Sequence, residues 1–522
     1  MRRAGCGVAA AAWMALLATA LPAAGPAMAQ DSWAAVAIVR GNTVYDTAAL
    51  VDFAAGHVEQ AEGQVTLPAL AGAVEQLYRE DGYFLATVRA FQDPVTGQPR
   101  LDIDEGGVDR LELRGVPDRI GQRIADYLRP VLTGAPLRMR DFERALMLAG
   151  DLSGVQLRSE FTTDAATGRR LLVVHATARS HRFIALADNS PRQQAVNGYL
   201  SGEAYSTLQP GDMLRVTVGA TAATDEDRSG FNVAGFYRMP VGTAGTYAEF
   251  FASNTLHGRD LSGGLADARH QRGTNAIALV GHPVLRDIHQ FLYLAAEYDI
   301  AEVDFGDPAI RRERSQAVRL SAVYSHVDDS YGSFRAIATV SAGRTDSSWN
   351  AFVDPDFWHL RGAAGLLLPL GPQEEGLALR LHGYAQWSPA TLPETERFYL
   401  GDRERLRGYL AGTLTGDSGA IGTIDASRQI ALDGPVARAL VPSVFLDAGV
   451  VARNRDFDVV PARRATSPIG DSSKALASTG IGLRAYMAEG FVLSGWVALP
   501  LVDDGRDTRY GPAAYLRLTK SW

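Results

Sequence analysis

Across residues 182–522, apolar and polar side chains change places at every second position, in segments of about 8–13 residues. That period belongs to strands with one apolar and one polar face. The clearest segment is 377–388. Leu377, Leu379, Leu381, Ala385 and Trp387 take one face; Arg380, His382, Tyr384, Gln386 and Ser388 take the other. In 290–300, Leu292, Leu294, Ala296, Tyr298 and Ile300 oppose Tyr293, Glu297 and Asp299. Val318, Leu320, Ala322 and Tyr324 oppose Arg319, Ser321 and Ser325, and Leu214, Val216 and Val218 oppose Arg215 and Thr217. About sixteen such segments follow one another, an even number, as a bacterial outer-membrane barrel requires. They begin near Arg182, Val196, Asp212, Gly230, Thr246, Asn275, His289, Arg314, Ser333, His359, Leu377, Ala420, Pro442, Ala475, Phe491 and Pro512.

The connections alternate in length. Those after even-numbered segments are short, as at 328–332 and 487–490; several after odd-numbered ones are long, as at 254–274, 390–419 and 453–474. Short turns at one end and long loops at the other fit a transmembrane barrel. A soluble sandwich has no reason for that alternation, and the repeat period of a propeller is missing.

The pattern before residue 180 is different. Residues 37–177 hold two similar units of about 70 residues, each reading strand, helix, helix, hairpin. Val39-Arg40-Gly41 ends one opening strand and Leu113-Arg114-Gly115 the other. Leu67, Leu70, Ala71, Val74, Leu77 and Tyr78 have helical spacing behind Thr66 and Pro68. Phe142, Ala145, Leu146 and Ala149 repeat that spacing in the second unit. The closing hairpins turn at 94–97 and 164–168.

The first 29 residues have the pattern of a secretory signal: Arg2 and Arg3, an apolar stretch at 8–21, then Ala27-Met28-Ala29 as a small-x-small cleavage site. The single cysteine, Cys6, lies inside this leader, so the chain beyond it has neither disulfides nor thiolate metal ligands. The formal net charge of −8 argues against a nucleic-acid partner. Beyond the leader no apolar run is long enough for a membrane helix, a criterion that does not apply to barrel strands. The final segment places Leu516, Leu518 and the terminal Trp522 on one face.

Two motifs carry candidate chemistry. Arg405-Leu406-Arg407-Gly408-Tyr409 falls in the long connection between the eleventh and twelfth segments. Phe445-Leu446-Asp447-Ala448-Gly449 falls in the thirteenth, where strand parity puts Phe445, Asp447 and Gly449 on one face. An Asp facing a polar lumen needs a partner. An arginine from a loop folded into the lumen could hold it with two hydrogen bonds, better than a lysine could.

The order strand-helix-helix-strand-strand resembles the POTRA domain, a periplasmic protein-binding module. Leader, two POTRA-like units and a barrel of about sixteen antiparallel strands together resemble the TpsB transporters of two-partner secretion, within the Omp85 superfamily. The resemblance covers nearly the whole chain after the leader. It implies a leader at 1–29, POTRA-like domains at 36–105 and 107–179, and an outer-membrane β-barrel at 181–522. In the family, the sixth external loop carries Val-Arg-Gly-Tyr/Phe, matched here by Leu406-Arg407-Gly408-Tyr409 with Leu for Val. The family's Phe-x-Asp-x-Gly is matched in full by Phe445, Asp447 and Gly449. By resemblance, Arg407 reaches into the lumen and pairs with Asp447, and Trp522 belongs to a terminal insertion signal. The implied partners are a large secreted exoprotein of the adhesin or haemolysin type, outer-membrane lipids and, during biogenesis, the outer-membrane insertion machinery. Some relatives carry an N-terminal plug helix; the short stretch between Ala29 and the first predicted strand leaves no room for one.

No cofactor and no enzymatic constellation is expected. Gly480-Ile481-Gly482-Leu483-Arg484-Ala485 mimics a dinucleotide fingerprint but sits in a predicted barrel strand. The ten histidines show no metal-ligand spacing. Gly416-Asp417-Ser418-Gly419 lacks the setting of a nucleophile elbow, and Glu374-Glu375 has that of a solvated turn. An assembly factor for other barrels, as elsewhere in Omp85, is the alternative function.

Overall fold

The computed structural model describes residues 38–503 and 511–522, except 61–65, 96, 165–166, 225–228, 258–270, 306–311, 329–331, 349, 351, 372–375, 402 and 455–472. The expected leader with Cys6, the stretch that follows it, and Glu374-Glu375 lie outside the described residues.

The first α+β unit orders its sheet with Pro99–Asp104 in the middle. Ile38–Arg40 pairs with it in parallel and Thr87–Gln92 antiparallel. Helices Thr47–Gln60 and Leu67–Glu80 intervene. Thr66 caps the second helix, its Oγ1 accepting from the Ala69 N–H, and Pro68 sits in the first turn where no amide partner is lost. The apolar stripe Leu70, Ala71, Val74 and Tyr78 is buried against Leu101 and Ile103 of the central strand. The second unit repeats the design. Arg170–Ala178 is central, with Leu111–Arg114 parallel and Val155–Thr163 antiparallel to it. Its helices are Asp118–Leu128 and Met139–Gly150.

Among the described residues, sixteen antiparallel strands close a barrel from His181–Ser190 to Ala513–Ser521. Every strand begins within a few residues of its expected start. The twelfth is broken at Gln429, so that Ser418–Arg428 and Ile430–Ala431 both pair with the thirteenth, Ala437–Ala452. The first and sixteenth pair over the short register Asp188↔Arg517 to Ile184↔Ser521. No helix among the described residues is long and apolar enough to cross a membrane; strands make the crossing.

Alternation sets the two faces. Val318, Leu320, Leu294, Val444 and Leu446 are exposed on the outside. Arg319, Asp299, Phe445 and Asp447, one residue out of phase, are buried inside. The second α+β unit is tied to the short-turn end. Asp151 accepts two hydrogen bonds from Arg286, of 2.9 and 2.8 Å, and one of 2.7 Å from the Tyr293 hydroxyl. Arg123 and Arg144 donate to the carbonyls of Gly242 and Pro283 in or beside short turns. The second α+β unit therefore sits at the short-turn end of the barrel.

Candidate functional site

The connection between the eleventh strand, Leu377–Trp387, and the twelfth does not project outward. It folds into the lumen and carries its own hairpin, Phe398–Leu400 against Leu414–Gly416. The reason lies in its sequence: Leu392, Phe398, Leu400, Leu406, Tyr409 and Leu414 are all buried. Most of these pack on the inward residues Ile421, Val451 and Leu476 of the wall. Leu392 packs instead with Ala317 and Phe357.

Arg407 and Asp447 meet as expected. Arg407 Nη2 donates to Asp447 Oδ1 at 2.8 Å and Nε to Oδ2 at 2.9 Å. The Arg407 backbone N–H adds a third bond to Oδ2, also 2.9 Å. Ser478 Oγ lies 3.4 Å from the same oxygen. Asp447 is fully buried, so these donors replace all the water it gives up. Beneath the guanidinium lies the Phe445 ring, its centroid 3.3 Å from Arg407 Cζ. Asp425 on the twelfth strand, 3.6 Å from Arg407 Nη1, gives a second negative charge.

The flanking residues fit the same contact. Leu406 is wholly buried at φ +55°, a conformation least tolerable for a β-branched side chain. It rests on Gly449, where an added Cβ would lie 2.7 Å from Leu400 and 2.9 Å from Leu406. Gly408 has φ +94°, and its carbonyl accepts from Arg192 Nε at 2.9 Å. The Tyr409 hydroxyl lies 2.7 Å from the Ala477 carbonyl and 2.8 Å from that of Val502, and accepts from the Val502 N–H. Trp522 is exposed on the outer face with Leu516 and Leu518, and its N–H donates to the Phe183 carbonyl, closing the seam.

A second anchor is absent from the sequence motifs. Glu396, in the single turn Glu394–Glu396 of the loop, is nearly fully buried. Arg319 grips it at 3.0 and 2.7 Å, His359 Nε2 lies 2.9 Å away, and Arg361 donates at 3.0 Å. Arg319 also reaches Asp299 at 2.6 Å and Glu297 at 3.1 Å. The inward placement of Arg319, Glu297 and Asp299 was legible from alternation; that a loop glutamate would join them was not. Asp417, also buried, accepts from the N–H groups of Leu392 and Asn454. A third anchor joins Arg403 of the loop to Asp188 of the first strand, while Arg517 binds loop Glu404 at 2.7 Å. The loop is thus pinned to the wall on three sides.

Residues 314–484, which include the loop and both motifs, match the family model described as haemolysin secretion/activation protein ShlB/FhaC/HecB. The chain is 23% identical over 462 residues to the hemolysin transporter protein ShlB of Serratia marcescens, covering 85% of this chain and 78% of that one. Among solved structures it resembles CdiB from Escherichia coli, with a TM-score of 0.70 at 19% identity, covering 93% of this chain and 90% of that one. CdiB from Acinetobacter baumannii gives 0.65 at 15%, covering 93% and 89%. BamA from Haemophilus ducreyi lacking POTRA domains 1–3 gives 0.53 at 14%, covering 93% and 98%. Residues 314–484 thus match the haemolysin secretion/activation family, and the sixteen-stranded barrel with two α+β units before it has the fold of the two CdiB structures.

Proposed function

We propose that this outer-membrane transporter moves one large, unfolded exoprotein from the periplasm to the cell surface, and that the lumenal loop is its gate. The observation that carries the reading is the loop itself, seated in the lumen by Arg407 on Asp447 and by Glu396 on Arg319. With the loop held there by buried charge pairs, passage of a polypeptide requires that it move. The family is one of transporters, and the relative from Serratia marcescens is a hemolysin transporter, which supports a haemolysin-like cargo.

The α+β units supply the receiving surface. Each three-stranded sheet leaves its outer strands with one unpaired edge; in the first unit these are Ile38–Arg40 and Thr87–Gln92. An extended segment of the exoprotein can add there as a further strand, with main-chain bonds giving affinity and little demand on sequence. Displacing the loop then opens the lumen, and folding outside biases the direction.

Deleting the gene tests this reading. Loss of one large protein from the medium, with other outer-membrane proteins unchanged, is the expected result. A general loss of barrels would point to an assembly factor.

A further inference from the structure

Below the seated loop the lumen holds a cavity of about 580 Å³. Among its lining residues are Arg335, Arg380, Arg405 and Arg484. Among the described residues none of these four has a carboxylate within ion-pair distance, whereas Arg403 and Arg407 of the loop and Arg517 of the wall do. Arg405 stacks over the Tyr384 ring at 5.0 Å, which leaves its charge uncompensated. The facing acids are Glu404, held by Arg517, and Asp425, which lies near Arg407 and directly across the strand pair from Arg380. Arg335 lies near the turn-side start of the ninth strand, Gly332–Ser347. Arg484 lies near the turn-side end of the fourteenth, Ser473–Met487. Arg335, Arg484 and Arg380, the last near the start of the eleventh strand, therefore lie toward the short-turn end of the lumen.

We propose that this vestibule binds carboxylates of an unfolded acidic segment of the polypeptide being exported, before the loop moves. Four guanidiniums in one chamber with low-dielectric walls, three of them open to solvent, focus a positive potential there. Arg335, Arg380 and Arg484 take no part in the loop's anchors, which use other residues. The chain as a whole is acidic, at −8, so the local excess is set against the general composition. Guanidiniums take carboxylates in two-bond geometry without demanding a particular sequence, which suits a transporter whose cargo is extended. The occupant being a polypeptide rests on the proposed function; the anion preference does not.

The test uses the full chain in lipid nanodiscs and fluorescein-labelled oligoglutamate and oligolysine, read by anisotropy. Oligoglutamate is expected to bind, more weakly as salt rises, and oligolysine not to bind. The triple variant R335Q/R380Q/R484Q is expected to weaken oligoglutamate about tenfold, from three partly exposed pairs. The triple R335K/R380K/R484K retains most of the binding and controls for misfolding, as does heat-modifiable migration of both variants. Equal binding of the two peptides, or an unaltered affinity in the glutamine variant, overturns the proposal. Competition by inorganic phosphate at concentrations matching the peptide's carboxylates would overturn the polypeptide assignment in favour of a small-anion site. Failure of the gene-deletion experiment above would remove the export reading yet leave peptide binding intact, so the two can fail separately.

Discussion

Arg319 on the eighth strand holds Glu396 of the lumenal loop with two parallel hydrogen bonds of 3.0 and 2.7 Å, both side chains buried. Removing Glu396 leaves Arg361 without its carboxylate and Arg319 with Asp299 and Glu297 alone. Breaking such a buried contact costs about 3–5 kcal/mol. Glu396→Ala should therefore lower the unfolding temperature seen in heat-modifiable migration and raise ion conductance in planar bilayers. The double change Arg319→Met with Glu396→Leu should not recover the stability, because it leaves buried Asp299 without the guanidinium that holds it. Conductance unchanged in Glu396→Ala would mean that Glu396 does not hold the loop in place.

Arg407 offers a finer discrimination. Lysine keeps the charge but loses the paired bonds to Asp447 and the planar stack on Phe445. Arg407→Ala should insert normally yet shift the loop toward the unseated state by about a hundredfold or more, the equivalent of losing a buried pair. Arg407→Lys should fall between. Secretion into the medium and single-channel noise read the two effects separately. A lysine variant indistinguishable from wild type would reduce the contact to simple charge neutralisation.

Gly449 tests shape instead of charge. An added Cβ there would sit 2.7 Å from Leu400 and 2.9 Å from Leu406. Gly449→Val should thus unseat the hairpin side of the loop while leaving Asp447 in place. Protease sensitivity of the loop in intact outer membranes should rise, with barrel migration unchanged. Continued protection would show that the wall yields to the side chain.

The barrel was legible because strand parity is written in every segment: Val318 out, Arg319 in, Leu320 out. The Arg407–Asp447 contact was legible only through the family motifs, since parity placed Asp447 inward but could not say which loop residue would reach it. The Glu396 anchor escaped because its partners, Arg319, His359 and Arg361, come from the eighth and tenth strands, and closure of the barrel is what brings them around one loop carboxylate. Asp417 escaped for a related reason. Its glycine-flanked setting reads as an open loop, whereas it is buried beside the returning hairpin. Long-range polar contacts leave no periodic trace.

Glu105 of the first α+β unit makes a pH-dependent prediction. It is buried and accepts from the N–H groups of Thr43 at 2.7 Å and Val44 at 2.9 Å, from the Thr43 hydroxyl, and from the Tyr78 hydroxyl at 2.8 Å. Burial pushes its pKa up, but these donors outweigh burial and hold it below the ordinary glutamate value. A depressed carboxylate stabilises the fold above its unfolded pKa, about 4.3, and that contribution is lost as pH falls through the lower folded value. Glu105→Gln should therefore destabilise this unit at neutral pH by about 1–3 kcal/mol, the cost of weakening hydrogen bonds to a charged acceptor. The difference from wild type should shrink once the pH drops below the ordinary glutamate pKa. Amide exchange at Thr43 and Val44 in the full chain, followed between pH 7 and pH 3, measures it. A deficit that stayed constant across that range would mean the side chain acts by packing and not by its charge.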